Sequence, residues 1–255
     1  MRLVKTKDEV DRLLAIYKQS TYQTMRTFTV TFATDADVIR KLLPPPLEPA
    51  EHPIAFAMIN HTAWADCSGP VLGATVQVLC QFQGVVGTYC VAMQMSTDHA
   101  VFFGRDLFGE PKKVANIRME TVGNQFFGSV ERYGITFIEI SGEIGEAVEA
   151  GPEQAAIGYL FKYLPDCSGS GLEDDPRLVR VNYEWTASVK KKAIGTLVFR
   201  ESVHDPIIDL PIRQVVDCSY EVGQLRASAK VIGRAKKEEF LPYAFLKIDA
   251  FDQFN

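Results

Sequence analysis

No stretch of this chain approaches the roughly 20 consecutive apolar residues of a membrane-spanning helix. The opening Met1–Glu9 segment lacks the apolar run of a signal peptide. There is no G-x-G-x-x-G turn, no phosphate-binding Walker loop and no G-x-S-x-G elbow. Those absences remove support for a Rossmann cofactor, for phosphoryl transfer and for serine hydrolysis. The four histidines, at 52, 61, 99 and 204, show no H-x-x-x-H spacing, and His61 reads as a hydrogen-bonded imidazole rather than a ligand. The five cysteines, at 67, 80, 90, 167 and 218, are odd in number and contain no CxxC pair. They suit neither a disulfide framework nor a zinc site, so no metal is assigned. Reduced thiols, no leader and no membrane segment make a soluble, cytoplasmic protein the expectation.

Basic charge is also short. Lysine and arginine number 27 against 32 acidic residues, for a net charge of -5. Nucleic-acid binding needs a concentrated basic face, and no such partner is expected. Lys190-Lys191-Lys192 and Lys236-Lys237 read as solvated surface. No repeat or low-complexity tract divides the chain, and residues 1–255 are expected to form one domain.

What the chain does have is strand-forming sequence. Residues 7–19 carry Val10, Leu13, Leu14 and Tyr17 on one helical face. Residues 26–33 (RTFTVTFA) alternate as a strand, and Asp35 opens a short helix that stops before Pro44-Pro45-Pro46. Strands follow at 74–83 and 88–96 around a turn at Gly84–Gly87, then at 111–121, 124–132 and 135–144. Gly123-Asn124 and Tyr133-Gly134 supply their turns. Residues 99–109 read as a loop or short helix, and 152–164 as helix or strand. Residues 166–176 form a polar loop, 178–187, 194–203 and 217–232 are further strands, and Lys236–Lys247 is a helix interrupted at Pro242. Many strands without regular intervening helices argue against a parallel, doubly wound sheet. The fold class expected is α+β, mostly β: a closed antiparallel β-barrel enclosing a cavity, with a few peripheral helices.

One segment carries chemistry: Gly104-Arg105-Asp106-Leu107-Phe108-Gly109-Glu110-Pro111-Lys112-Lys113. If 110–118 is extended, Glu110, Lys112, Val114 and Asn116 share one face and Lys113 and Ala115 the other. Burial in an apolar barrel and an adjacent cation both disfavour an ammonium, which frees an amine as a nucleophile.

This stretch resembles the G-R-(D/E)-x-x-x-x-P-K-K signature of the acetoacetate decarboxylase family. Three further segments resemble that family in the same order. They are Phe32–Asp35 through Leu42-Leu-Pro-Pro-Pro-Leu-Glu48, then Phe82-Gln-Gly-Val-Val-Gly87-Thr-Tyr89, and Asp205-Pro206-Ile-Ile-Asp209-Leu-Pro211 on to Val216. The resemblance implies a cofactor-free, homo-oligomeric lyase. In it Lys112 forms a Schiff base with a small keto acid or ketone, and Lys113 is its electrostatic neighbour. It also implies a glutamate on the strand before the F-x-G-x-x-G turn and a substrate-binding arginine on the first strand. Here those places fall near Gly73 and Met25, and Cys67–Thr97 contains no Asp or Glu at all. Arg26 is the nearby arginine. Decarboxylation of acetoacetate itself therefore loses support, while imine formation does not. The superfamily also implies aldolase–dehydratases that act on pyruvate and aldehydes.

The remaining candidates each carry two readings. Glu110 is a proton carrier beside Lys112, or a partner of Arg105 or Lys113. Arg105 binds a carboxylate or holds its loop. Tyr243 closes the pocket or packs in the core, and Tyr89 lines the cavity or packs. Two rivals to the imine lyase stand: an apolar-ligand-binding barrel that has lost the chemistry, and acid–base hydrolysis or tautomerisation of a β-diketone through Glu110.

Overall fold

The computed structural model describes residues 3–249 and 251; residues 1, 2, 250 and 252–255 of the expected domain lie outside that description. In chain order the elements begin with α1 (Lys7–Lys18), β1 (Ser20–Ala33), α2 (Ala36–Leu42), β2 (Glu48–Pro49), β3 (Ile54–Ala65), β4 (Gly69–Phe82) and β5 (Val85–Met95). Next come α3 (Asp98–Phe108), β6 (Lys112–Val114), β7 (Asn116–Val122), β8 (Gln125–Arg132) and β9 (Ile135–Val148). The chain ends with β10 (Gln154–Lys162), β11 (Arg177–Phe199), β12 (Gln214–Arg234), α4 (Lys237–Phe240) and a 3-10 segment, Leu241–Lys247. The fold is α+β and mostly β. Among the described residues, no helix is long and apolar enough to cross a membrane.

The strands pair in the order β10-β5-β4-β3-β1-β12-β11-β9-β8-β7. β10 also pairs with β11, so the pairings run from β10 round to β11 and return to β10. The expectation of purely antiparallel strands needs correction, because β10 and β6 both lie parallel to β5. Residues 152–164, ambiguous by pattern, become a strand because a partner waits on each side.

Local chemistry explains most of the elements. Thr6 caps α1, accepting from the Glu9 N–H at 3.3 Å, while the Glu9 carboxylate accepts from the Thr6 N–H at 2.7 Å. The apolar face of α1 stays largely exposed, Tyr17 included, although the Tyr17 ring meets Phe103 edge-on. The hairpin between β4 and β5 turns at Gln83-Gly84, both with positive φ, and Val85–Gly87 already belongs to β5. The expected strand 111–121 is broken at Ala115 into β6 and β7. The two strands expected at 178–187 and 194–203 are one strand, β11. Its first half pairs with β10 and its second with β9, so bulges after Ala187 and Lys191 bend it from one neighbour to the next. The lysine cluster at 190–192 lies across that bend, which is why the apolar pattern lapses there.

β1 separates the core from the cavity by alternation. Phe28, Val30 and Phe32 are fully buried on one face, and Phe28 stacks on Phe126 of β8 at 4.3 Å. β7, β8 and β9 therefore close over the outside of β1, β3 and β4, with the core between them. Thr27, Thr29 and Thr31 point the other way and line a cavity of about 470 Å³.

Candidate active site

α3 delivers the lysine segment to this cavity. Its first turn is capped by Thr97, whose hydroxyl accepts from the Ala100 N–H at 3.4 Å. It ends at Gly109 in the left-handed region, with φ 83°. The Gly109 N–H donates to the carbonyls of Gly104 and Arg105. A Cβ on Gly109 would lie 2.2 Å from the Phe161 carbonyl oxygen, so glycine is required there twice over. The chain then turns through Glu110-Pro111 into β6, which runs parallel to β5.

Glu110 and Lys112 share the cavity face, as alternation predicts. Lys112 Nζ lies 2.7 Å from Glu110 Oε2, with both side chains under a tenth exposed. The backbone of α3 presses directly on this pair. A Cβ on Gly104 would sit 1.9 Å from Glu110 Oε2 and 2.5 Å from Lys112 Nζ. Val114 and Asn116, expected on the same face, are solvent-exposed because the strand breaks after Val114.

Lys112 ends a row of directly paired residues, Thr29, Met58, Thr75 and Met93, on β1, β3, β4 and β5. Around the ion pair the wall is apolar, with Val71, Met93, Met95, Phe108 and Val181. Tyr22 and Tyr183 complete it. Burial pushes the Tyr22 hydroxyl well above its usual range, with Cys67 and then Glu110 adding to the effect. Burial does the same to Tyr183, with Glu110 next. Both therefore stay protonated and can donate hydrogen bonds. Neither residue was a sequence candidate. Strand alternation through Val181, Tyr183 and Trp185 would have found Tyr183. The irregularity at Thr24, where φ is 50°, hides Tyr22 from the same count.

The comparisons with known proteins agree with one another. A sequence model of the family described as Acetoacetate decarboxylase (ADC) matches residues 8–234. The chain belongs to the acetoacetate decarboxylase family. It is 25% identical over 213 residues to the acetoacetate decarboxylase of Ralstonia nicotianae, covering 78% of this chain and 81% of that one. The fold matches the crystal structure of acetoacetate decarboxylase from Legionella pneumophila with a TM-score of 0.77 at 18% identity, over 84% of this chain and 87% of that one. It also matches the enduracididine biosynthesis enzyme MppR, complexed with the condensation product of pyruvate and imidazole 4-carboxaldehyde. There the TM-score is 0.71 at 18% identity, over 84% of this chain and 88% of that one.

Within this acetoacetate decarboxylase fold the second lysine leaves the cavity. Lys113 Nζ donates to the His204 carbonyl at 2.6 Å and pairs with Asp205 at 3.3 Å and Asp249 at 3.1 Å. Arg132 joins the same two carboxylates, at 2.6 and 2.7 Å. Lys113, His204 and Asp205 of this network line a second cavity of about 550 Å³ on the opposite face of β5. The expected electrostatic neighbour of Lys112 is thus a cation already matched by carboxylates.

Four other candidates lie outside the Lys112 cavity. Arg26 is exposed, because Met25 and Thr27 on either side take the inward positions. Tyr89 is buried against Phe161 on the outer face of β5. A bulge between Cys90 and Ala92 then reverses the alternation and turns Met93 and Met95 inward. Tyr243 packs near Phe240 beside the second cavity. Arg105 is half-buried on α3, within electrostatic reach of Tyr163 and Lys247. At Gly73 a side chain would press on the Asn60 amide at 3.1 Å, so that wall offers an amide in place of a carboxylate.

Proposed function

We propose that this chain is a cofactor-free carbon–carbon lyase in which Lys112 forms an imine with a small keto compound. The observation that carries the reading is the buried Lys112–Glu110 pair at 2.7 Å on the wall of a large, partly apolar cavity. A buried amine beside a carboxylate, with two tyrosine hydroxyls nearby, is equipped for covalent catalysis with local proton transfer. We read the returning ring of strand pairings as a closed barrel and the whole chain as one domain built around this site.

The chemistry follows from the pair. The ammonium proton passes to Glu110, and the free amine adds to the ketone. Glu110 returns the proton to the departing oxygen, and water leaves as the iminium forms. Cleavage of the neighbouring carbon–carbon bond places its electron pair in an enamine. Glu110, reprotonated from water, protonates the enamine carbon, and hydrolysis releases the product and restores the amine.

A second reading shares the first steps. Here no carbon–carbon bond breaks: Glu110 removes an α-proton of the iminium to give the enamine, the enamine attacks an aldehyde whose oxygen takes that proton, and water is then lost. Gly73 and Met25, where the family resemblance implied a glutamate and an arginine, favour this aldolase–dehydratase chemistry over acetoacetate decarboxylation.

Deuterium exchange tests the proposal. Incubated with acetone in D₂O, the protein should exchange the ketone's α-protons, as followed by NMR. Lys112→Ala should abolish exchange, and Lys112→Arg, which keeps the ion pair, serves as the folding control. Glu110→Gln should slow exchange about 100-fold or more while leaving imine formation detectable. Exchange that survives Lys112→Arg but fails in Glu110→Gln would replace the imine with simple acid–base catalysis.

A further inference from the structure

The family's usual substrate is an anion, and an anion needs a cation to receive it. Among the described residues, no arginine lines the Lys112 cavity. Its charged lining groups are Lys112, Glu110 and Glu221. Lys112 is spoken for by Glu110 at 2.7 Å. Glu221 accepts from the Trp185 indole N–H at 2.6 Å and has Lys190 at 3.5 Å. Met25 occupies the inward position on β1 where an arginine would serve a carboxylate, and Arg26 faces solvent. A carboxylate entering this space meets an acidic wall and no spare positive charge, in surroundings that screen charge poorly.

The rest of the wall is neutral and mostly apolar, with one strip of polar side chains. Thr27, Thr29 and Thr31 form a file of hydroxyls along β1; Asn60 pairs with Thr27, and beyond Met58 and Phe56 the next strand adds Thr75 and Gln77. Thr27 Oγ1 has no hydrogen-bond partner among the described residues, although Thr27 is only 9% exposed. A buried hydroxyl without a partner at a cavity wall is a place for a ligand atom. The cavity itself, at about 470 Å³, is in the size range of ligand pockets of ~300–1,000 Å³ that hold molecules well beyond three or four carbons.

We propose that the cavity takes an uncharged, oxygen-rich carbonyl compound, such as a β-dicarbonyl or hydroxyketone, in preference to a keto-acid anion. This rests on the imine reading above. The carbonyl carbon meets Lys112, and the remaining neutral oxygens meet the threonine file, beginning with Thr27.

Matched pairs of probes separate the two classes. The full-length protein is incubated with hydroxyacetone against pyruvate, and with acetylacetone against acetoacetate, in cyanoborohydride, and covalent addition is followed by intact mass. The neutral member of each pair should label faster by about tenfold or more, the size of a modest specificity difference. Met25→Arg should reverse the order by admitting the acids. Thr27→Val should slow labelling by hydroxyacetone more than labelling by acetone, which has no second oxygen to lose a partner. Equal or faster labelling by the acids in the native protein would overturn the substrate class while leaving the imine standing. No adduct with either class would overturn the imine reading and this inference with it.

Discussion

Replacing Gly104 with alanine sets two effects of opposite sign against each other. Gly104 lies inside α3, where alanine stabilises a helix by about 1 kcal/mol relative to glycine. Its missing Cβ is also what lets the helix sit on the catalytic pair. The added methyl would stand 1.9 Å from Glu110 Oε2 and 2.5 Å from Lys112 Nζ. The carboxylate must retreat by roughly an ångström or more, and the ammonium must move with it or lose its partner. Overpacking of this kind costs about 1–3 kcal/mol, and a weakened buried ion pair adds to it. The net expectation is a loss of about 1–3 kcal/mol, or roughly 2–10 °C in melting temperature for a chain of this size. A displacement near 1 Å at a reacting group costs about 100-fold in rate. Calorimetry and the rate of ketone trapping on Gly104→Ala read both quantities. A variant about 1 kcal/mol more stable, with unchanged trapping, would show that the helix does not hold the pair and would refute the reasoning.

Glu110→Ala leaves Lys112 buried without its partner and should cost about 3–5 kcal/mol in chemical denaturation, more than Glu110→Gln, which keeps a hydrogen-bond acceptor. Asp249 feels burial, which raises its carboxyl, but Arg132, Tyr133 and Lys113 outweigh that and hold it well below the usual carboxylate range. Its contribution is therefore present above an ordinary carboxylate pKa of ~4 and is lost as pH falls below it; Asp249→Asn should flatten the acid limb of a stability–pH curve. Lys247 is pushed down to about 8, chiefly by burial and next by Arg105. The folded state then binds fewer protons than the unfolded state between pH 8 and the ordinary lysine value of ~10.4, so stability should rise with pH across that window. Lys247→Met should abolish the rise, and an unchanged slope in urea titrations at pH 8 and 10 would contradict the assignment.

The chemistry of the site was more legible in the sequence than its walls. Glu110 and Lys112 are two apart on an extended segment, and period-two alternation is enough to put them on one face. The same rule sends Lys113 away, but only long-range pairing reveals that Asp205 and Asp249 wait for it. Alternation also fails wherever the ladder is irregular. The bulge near Cys90 turns Tyr89 outward and Met93 inward, and the irregularity at Thr24 conceals Tyr22. Arg26 fails for the opposite reason, because the strand is regular there and Met25 and Thr27 hold the inward places. Parallel neighbours for β6 and β10 were out of reach of local pattern, since a strand's direction is set by the chain between strands. Gly104 stood in the signature as a letter and Gly109 at one of its unspecified places; the structure gives each a contact that a side chain would destroy.

Peptide mapping of a reduced ketone adduct tests the central claim most directly. After treatment with hydroxyacetone or acetone and cyanoborohydride, digestion and sequencing should place a single modification on Lys112, with Lys113 unmodified and Lys112→Arg unlabelled. No adduct, or modification spread over surface lysines and unchanged in Lys112→Arg, would contradict it.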